Sequence, residues 1–465
     1  MGLSETVVQS AHATPLAWAK QVFGLVAVGD QRRTDRVVQV ASAWAANPDG
    51  SLPQQAADPA ALKAVYRLLH NEALTVDELL APHQALTRQV ASQGPVVLLV
   101  QDTTTLDFTA HRATEGLSPI GDGRGRGFYL QTVLALDPQN RAPVGVLAAE
   151  LWGRQPPPER AETRTERAKR PRESDIWGRL VRRIGSPPDG VRWVHVADRG
   201  ADCYDFFTAV LGTGSDVLVR VVQNRCLLEP AGAHLRDALR AQPPQAERSL
   251  TVTGRPDRPG RPTQVAVSWL ATTLRPPAIR DRAQPTPPPV PIWAVRVWEP
   301  DPPPDVVPVE WLLATTVPVT TVAQAWERVD WYTARWVIEE FHLGLKTGCG
   351  AERTQLRDRA ALERRVALLL PLAVRLLLLR TLARSDPDAP VEQVAHPIAV
   401  ALVAARTRQP PATTVGAYLR QVARLGGHQG RTGDGPPGWR TLWRGWFRLE
   451  EMLIGVQLSR QLGIT

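Results

Sequence analysis

The sequence predicts an α/β protein whose middle is built on a sheet and whose two ends are helical. Three observations predict it. Residues 1 to about 92 carry apolar residues at helical spacing. From Gly94 onward, short runs rich in Val and Leu alternate with turn-forming residues. From Val322 helical periodicity returns and continues, with breaks, to the C-terminus. A chain of 465 residues is long enough for two or three domains, and the expected division is 1–92, 93–372 and 373–465.

In the first region Trp18 to Val28, Arg32 to Ala46 and Asp58 to His70 are the expected helices. The segment GDQRRTDR puts a turn before a helix whose first turns carry Arg32, Arg33 and Arg36. Such a helix start can hold phosphates through both side chains and backbone amides, and an ordinary solvated helix end has the same composition. PVVLLVQD is expected to be a buried strand ending in Asp102. FYLQTVLAL and PVGVLAAELW follow as two more strands. The Arg- and Glu-rich stretch Glu159 to Glu173 is expected to be a loop leading into a helix at Ser174 to Ile184. VRWVHVAD then gives a fourth strand, again ending in an acid, Asp198. Residues 215–315 hold VLVRVV, LTVTG, TQVAVSWL, IWAVRVW and EWLLATT among many prolines, which predicts a mostly β insertion. Beyond Val322, PVEQVAHP and RTGDGPPG are expected turns or linkers. The apolar run Val366 to Leu379, broken by Pro371 and Arg375, is too short and too charged to span a bilayer, and predicts a buried helix.

The formal charge of +9 suits a polyanionic partner, nucleic acid above all, and equally an ordinary soluble surface. Lysine is scarce: only Lys20, Lys63, Lys169 and Lys346 occur. Cys203, Cys226 and Cys349 lie far apart with no CxxC pair. That argues against a disulfide framework or a thiolate zinc site and fits a reducing compartment. The N-terminus lacks a signal-peptide pattern, so a cytoplasmic location is expected.

Two strands that each end in an aspartate place carboxylates at one edge of a sheet, where functional groups commonly lie. Paired carboxylates repel unless a cation bridges them. A third acid comes from YTARWVIEEFHLGLK. On a helix, Tyr332, Arg335, Glu339 and Lys346 fall within an arc of roughly 60° at about 100° per residue, forming one polar stripe. Glu340 lies about 100° away from Glu339 and is the alternative.

These residues carry a resemblance. The chain resembles the DDE transposases of bacterial insertion sequences, in the family whose best-known member is the transposon-five transposase. The helix holds that family's Y-(2)-R-(3)-E-(6)-K signature as Tyr332, Arg335, Glu339 and Lys346. QDTTTL matches the first-Asp motif at Asp102, and ADRGAD the second at Asp198. WAKQVFGLVAVGDQRRTDR is similar to the family's N-terminal DNA-binding region, and ARLGGHQGRTG with GWRTLWRGW to its C-terminal helical region.

The resemblance implies a ribonuclease-H-like catalytic core at 93–372, interrupted by the β insertion. It also implies an N-terminal DNA-binding domain and a C-terminal dimerisation domain. Asp102, Asp198 and Glu339 would hold two Mg²⁺ ions, with Mn²⁺ able to substitute. The expected activity is cut-and-paste transposition of double-stranded DNA: nicking, hairpin formation and opening at the transposon ends, then joining to target DNA by a homodimer. Tyr332, Arg335 and Lys346 would grip phosphates, with Arg199 and Arg220 nearby. Trp311 would stack on a flipped base, and Arg32, Arg33 and Arg36 would contact the transposon end. The chain departs from the best-known member at Leu343 and Val222, where that protein has lysines. Two alternatives remain open: a DNA-binding descendant without catalysis, and a nuclease of the same core without strand transfer.

Overall fold

The computed structural model describes residues 13–154, 163, 166, 172–252, 260–277, 286–385, 387–431 and 437–463. The predicted loop at Glu159 to Glu173 and much of RTGDGPPG therefore lie outside the described residues. The chain opens with helices α1 (Pro15–Phe23), α2 (Gln31–Ala46), the short α3 (Leu52–Gln55), α4 (Pro59–Leu69) and α5 (Val76–Ala91). Each start is written in the sequence. Thr14, Asp30, Asp58 and Thr75 are N-caps whose side chains accept from the first free backbone amides. Thr75 and Glu78 close a reciprocal capping box. The first helix stops at Phe23 rather than at Val28. After Gly24 the chain turns, and the Thr34 hydroxyl pins the Val26 carbonyl at 2.9 Å.

Strands β1 (Val96–Asp107), β2 (Ser118–Ile120), β3 (Gly125–Leu136) and β4 (Pro143–Trp152) form an antiparallel group, with β3 beside β1 and β4 beside β3. Helix α6 (Asp175–Ile184) leads to β5 (Arg192–Ala197), and α7 (Tyr204–Gly212) leads to β6 (Asp216–Arg220). β5 pairs parallel to β1, and β6 parallel to β5. Three long antiparallel strands, β1, β3 and β4, with parallel strands β5 and β6 on the far side of β1 and helices leading into each, make a ribonuclease-H-like core.

Beyond β6 come α8 (Leu235–Arg240), β7 (Ala246–Val252), β8 (Arg261–Leu274), β9 (Val290–Trp298) and β10 (Glu310–Thr315). β10 pairs antiparallel with β6, and β9, β8 and β7 follow in turn. The inserted strands therefore lengthen the catalytic sheet to ten strands. Residues 216–220 are a core strand bound to β5, so the inserted strands follow Arg220, close to the expected start at about 215.

The helical return comprises α9 (Val322–Thr333), α10 (Trp336–Leu343), α11 (Arg359–Ser385), α12 (Pro397–Thr407), α13 (Val415–Leu425) and α14 (Trp439–Leu462). Residues from Arg365 to Leu379 of α11 are buried on every side, so this is an interior helix. Its 27 residues run on through Pro371, so the boundary expected at 372 falls inside one continuous helix. Among the described residues no helix is long and apolar enough to cross a membrane.

Arginines of α11 fasten the N-terminal helices to the core. Arg364 donates to the Leu74 carbonyl at 2.6 Å and to the Leu69 carbonyl, at the end of α4, at 2.9 Å. The Arg365 guanidinium lies 5.2 Å from the Trp44 ring of α2. Arg375 lies 5.5 Å from the Trp18 ring of α1 and donates to the Ala13 carbonyl at 2.6 Å. Burial lowers the pKa of Arg365 and Arg375 to about 10, still well above neutrality.

Two buried histidines tie the sheet together in their neutral form. His83 Nε2 accepts from the Val146 amide at 3.0 Å, and His195 Nδ1 lies 2.8 Å from Gln101 Nε2. Burial pushes their pKa values down to about 4 and about 3. In the unfolded chain they would titrate near 6.5, so below that pH the unfolded state binds protons that the fold refuses. Stability is therefore full above about pH 6.5 and declines as pH falls towards the depressed values, by about 1.4 kcal/mol per histidine at about pH 5.5. The urea midpoint is expected to drop between about pH 7.5 and about pH 5.5. A flat midpoint would mean that these imidazoles carry charge inside the fold.

Candidate active site

The two aspartates meet at the end of a parallel ladder. The β1–β5 register runs to Gln101 opposite Ala197, so Asp102 and Asp198 are the next residues on adjacent strands. Only Asp198 ends its strand as predicted. Asp102 sits in mid-strand, because β1 continues to Asp107 against β3 after its parallel partner has stopped. Past Ala197 the chain turns through Arg199–Ala201, and Asp198 Oδ1 accepts from the Gly200 amide at 2.8 Å. Glycine suits position 200, since a β-carbon there would lie 3.0 Å from Asp198 Oδ1 and 3.2 Å from the Trp177 ring.

The third acid arrives on a broken helix. The segment predicted as one helix is α9, a tight turn, α10, and a π-type turn over Gly344–Gly348. At the break the amides of Arg335, Val337 and Ile338 reach back three residues, to Tyr332, Ala334 and Arg335. This tightening eclipses side chains three apart, which stacks Tyr332 over Arg335. Glu339 then follows Arg335 by four residues on the same face. Local departures of this kind are frequent at functional sites.

Arg335 joins the elements. Its Nη1 lies 3.3 Å from Asp102 Oδ2, and its Nη2 donates to Glu339 Oε1 at 2.5 Å. Glu340 faces away and pairs with Arg380 of α11 at 2.6 Å. Burial, and then the neighbouring charge of Asp198, push the Asp102 pKa up to about 6. Glu339 adds to that push and Arg335 opposes it. Asp102 thus senses both of the other carboxylates. Burial likewise raises the Tyr332 pKa, against the pull of Arg335 and Arg220.

A basic rim surrounds this centre. Burial and, more weakly, the charges of Arg199 and Arg335 lower the Arg220 pKa, while Tyr332 acts in the opposite sense. Trp311 of β10 packs edge-on against Tyr332, with centroids 5.7 Å apart and planes at 69°. Lys346 pairs with another acid; its Nζ lies 3.6 Å from Glu352, whose carboxylate also holds the Asp107 amide. Leu343 and Val222 are 48% and 37% exposed, so the surface is apolar at the two positions where the sequence departs from the family's best-known member. Arg32, Arg33 and Arg36 lie apart from this centre, exposed on α2. Asp30 caps that helix with its own carboxylate, which accepts from the Arg32 amide, so that amide is already engaged.

Sequence reasoning passes over three residues here. Thr132 stands directly opposite Asp102 on β3, fully buried, and its hydroxyl has no hydrogen-bond partner among the described residues. Strand register is not visible in a sequence, so nothing marks it. Asp202, the last acid of DRGAD, is structural. Its carboxylate accepts from the Val222 and Gln223 amides at 2.7 Å and pairs with Arg225 at 2.7 Å. Trp336, beside Arg335, is 56% exposed.

The donor set suits a hard divalent cation: three carboxylates, two of them on adjacent strands in register and one whose pKa is raised by burial and then by like charge. Among the described residues, however, no three acidic, imidazole or thiol groups converge closely enough to ligate an ion as they stand. Arg335 holds Asp102 and Glu339 in an ion-pair arrangement instead.

Comparison with known families adds two findings. Residues 15–74 match the model of a transposase DNA-binding domain, and residues 168–375 match that of a transposase DDE domain. The first span includes Arg32, Arg33 and Arg36. The second includes Asp198 and Glu339, while Asp102 precedes it.

Proposed function

Because the chain is a DDE transposase, an enzyme of DNA cleavage and strand transfer with DNA as its partner, we propose that it moves its element by a cut-and-paste route through DNA hairpins. The meeting of Asp102 and Asp198 at one register, with Glu339 reached through Arg335, carries this reading. Asp102, Asp198 and Glu339 would hold divalent ions, Mg²⁺ with Mn²⁺ able to substitute, which when bound supply water activation and charge compensation at phosphorus.

The chain's own groups bind and orient. Arg335, Arg220 and Arg199 offer guanidinium forks to phosphates around the scissile bond, and Tyr332 adds a hydroxyl. Lys346 extends the grip one π-turn further on, and Arg32, Arg33 and Arg36 hold the transposon end at a distance. Water nicks the end; the freed 3′ hydroxyl attacks the opposite strand to close a hairpin; a second water opens it; the 3′ ends attack target DNA. Hairpin closure needs a base out of the stack, and Trp311, half-buried and backed by Tyr332, offers an indole to receive it. Dimerisation on paired ends is supported by Ile454, Leu458 and Leu462, exposed one turn apart on α14. The functional division remains an N-terminal end-binding region, a catalytic middle and a C-terminal pairing region.

The test is cleavage of the element's terminal duplex, found from the inverted repeats bracketing the gene, with Mg²⁺ and with EDTA. Nicks followed by hairpins, both lost in EDTA, are expected. Binding without cleavage in either Mg²⁺ or Mn²⁺ would favour a descendant that only binds DNA. Base stacking contributes about 1–3 kcal/mol, so Trp311→Ala should nick normally and form hairpins roughly tenfold or more slowly, with Trp311→Phe restoring part of the rate. Equal slowing of nicking and hairpin formation would make Trp311 a packing residue.

A further inference from the structure

We propose that Arg335 is a latch on the acidic centre, holding in the DNA-free protein the carboxylate oxygens that cations would take, so that ion loading is coupled to DNA. The inference rests on the reading of Asp102, Asp198 and Glu339 as cation ligands. One guanidinium spans two elements, 3.3 Å from Asp102 on β1 and 2.5 Å from Glu339 on α10, and its side chain is only 14% exposed. A guanidinium is cationic at any ordinary pH, so Arg335 stays charged and bound to both acids.

A guanidinium and a divalent ion are rival counter-ions for the same oxygens. Carboxylate lone pairs committed to N–H donors are not available as ligands, and a second positive charge nearby is repelled. What releases the latch must offer the guanidinium a better partner. A DNA phosphate does, since the planar fork matches it as well as a carboxylate. Arg220 and Arg199 draw a phosphate to the same place. DNA and cation then favour each other's binding, and the coupling is reciprocal.

The test is Mn²⁺ binding by the full-length protein, followed by the electron paramagnetic resonance of free Mn²⁺. Wild type, Arg335→Gln, Arg335→Lys and Asp102→Asn are compared with and without the terminal-repeat duplex. Without DNA, Arg335→Gln is expected to bind Mn²⁺ roughly tenfold more tightly than wild type, in the range of ordinary coupling between sites. Arg335→Lys, which keeps the charge but cannot fork between two carboxylates, should fall between them. It serves as the readout if the glutamine variant folds poorly by circular dichroism. Duplex DNA should tighten Mn²⁺ binding in wild type and much less in Arg335→Gln. Equal affinity of wild type and both Arg335 variants, with binding lost in Asp102→Asn, would overturn the latch and leave the cation reading standing. Mn²⁺ binding indifferent to Asp102 in every protein would overturn the cation reading and the latch with it.

Discussion

Replacing Glu339 by glutamine is expected to slow cleavage of the terminal duplex by roughly a thousandfold or more, while Glu340→Gln leaves it within a few-fold of wild type. The two glutamates are neighbours in sequence and differ in what they face. Glu339 shares Arg335 with Asp102, whose carboxyl is pushed up by burial and by the other acids. Removing its charge takes one of three oxygen donors from a centre proposed to hold cations. Several kcal/mol of transition-state stabilisation at such a centre correspond to about three powers of ten in rate. Glu340 instead pairs with Arg380 on the central helix, so its loss should lower thermal stability and spare the chemistry. Single-turnover cleavage with duplex binding measured in parallel separates these outcomes. A Glu340→Gln defect as deep as that of Glu339→Gln would place the wrong glutamate at the centre.

A second contrast involves the two acids of DRGAD. Asp202→Ala should destabilise the protein by about 3–5 kcal/mol, the usual cost of leaving one member of a buried ion pair alone. The Asp202 side chain is 1% exposed, and it holds Arg225 together with the first two amides beyond Val221. It thereby anchors the entry to the inserted strands at the end of the parallel ladder. Asp198→Ala, four residues earlier, removes a group that accepts from one amide and repels Asp102. It should leave the melting temperature unchanged or raised and eliminate cleavage. Thermal melting of the two variants beside their activities is decisive. A stable Asp202→Ala protein would show that the Arg225 pair carries little weight in the fold.

Much of this architecture is legible in the residues themselves. The strands carrying Asp102 and Asp198 announce themselves as Val- and Leu-rich runs, because a buried parallel ladder needs apolar side chains on both faces. The helix starts at Asp30 and Asp58 are equally plain, while the helix behind the Thr75 cap is not among the expected ones. The stripe through Tyr332, Arg335 and Glu339 follows from spacing alone. What spacing conceals is the break at Ala334, because the tight turn and the π-turn cost no change in residue type. It also conceals Thr132, which comes opposite Asp102 only through strand register. The buried helix expected over Val366 to Leu379 is present and runs through Pro371. The start of the insertion, expected at about 215, is less legible, since an inserted strand and a core strand have the same composition.

The arginines of the central helix have a consequence for how DNA is measured. Arg364 binds the carbonyls at the end of α4, while Arg365 and Arg375 lie against Trp44 and Trp18 with scarcely any exposure. Shifting the N-terminal helices relative to the catalytic sheet would strip buried guanidinium groups from their partners, a motion that costs several kcal/mol. The region that matches a DNA-binding domain and the sheet that carries the acidic centre are therefore bolted to one shaft. The spacing between them becomes a dimension of the protein, a caliper whose jaws are set when the chain folds.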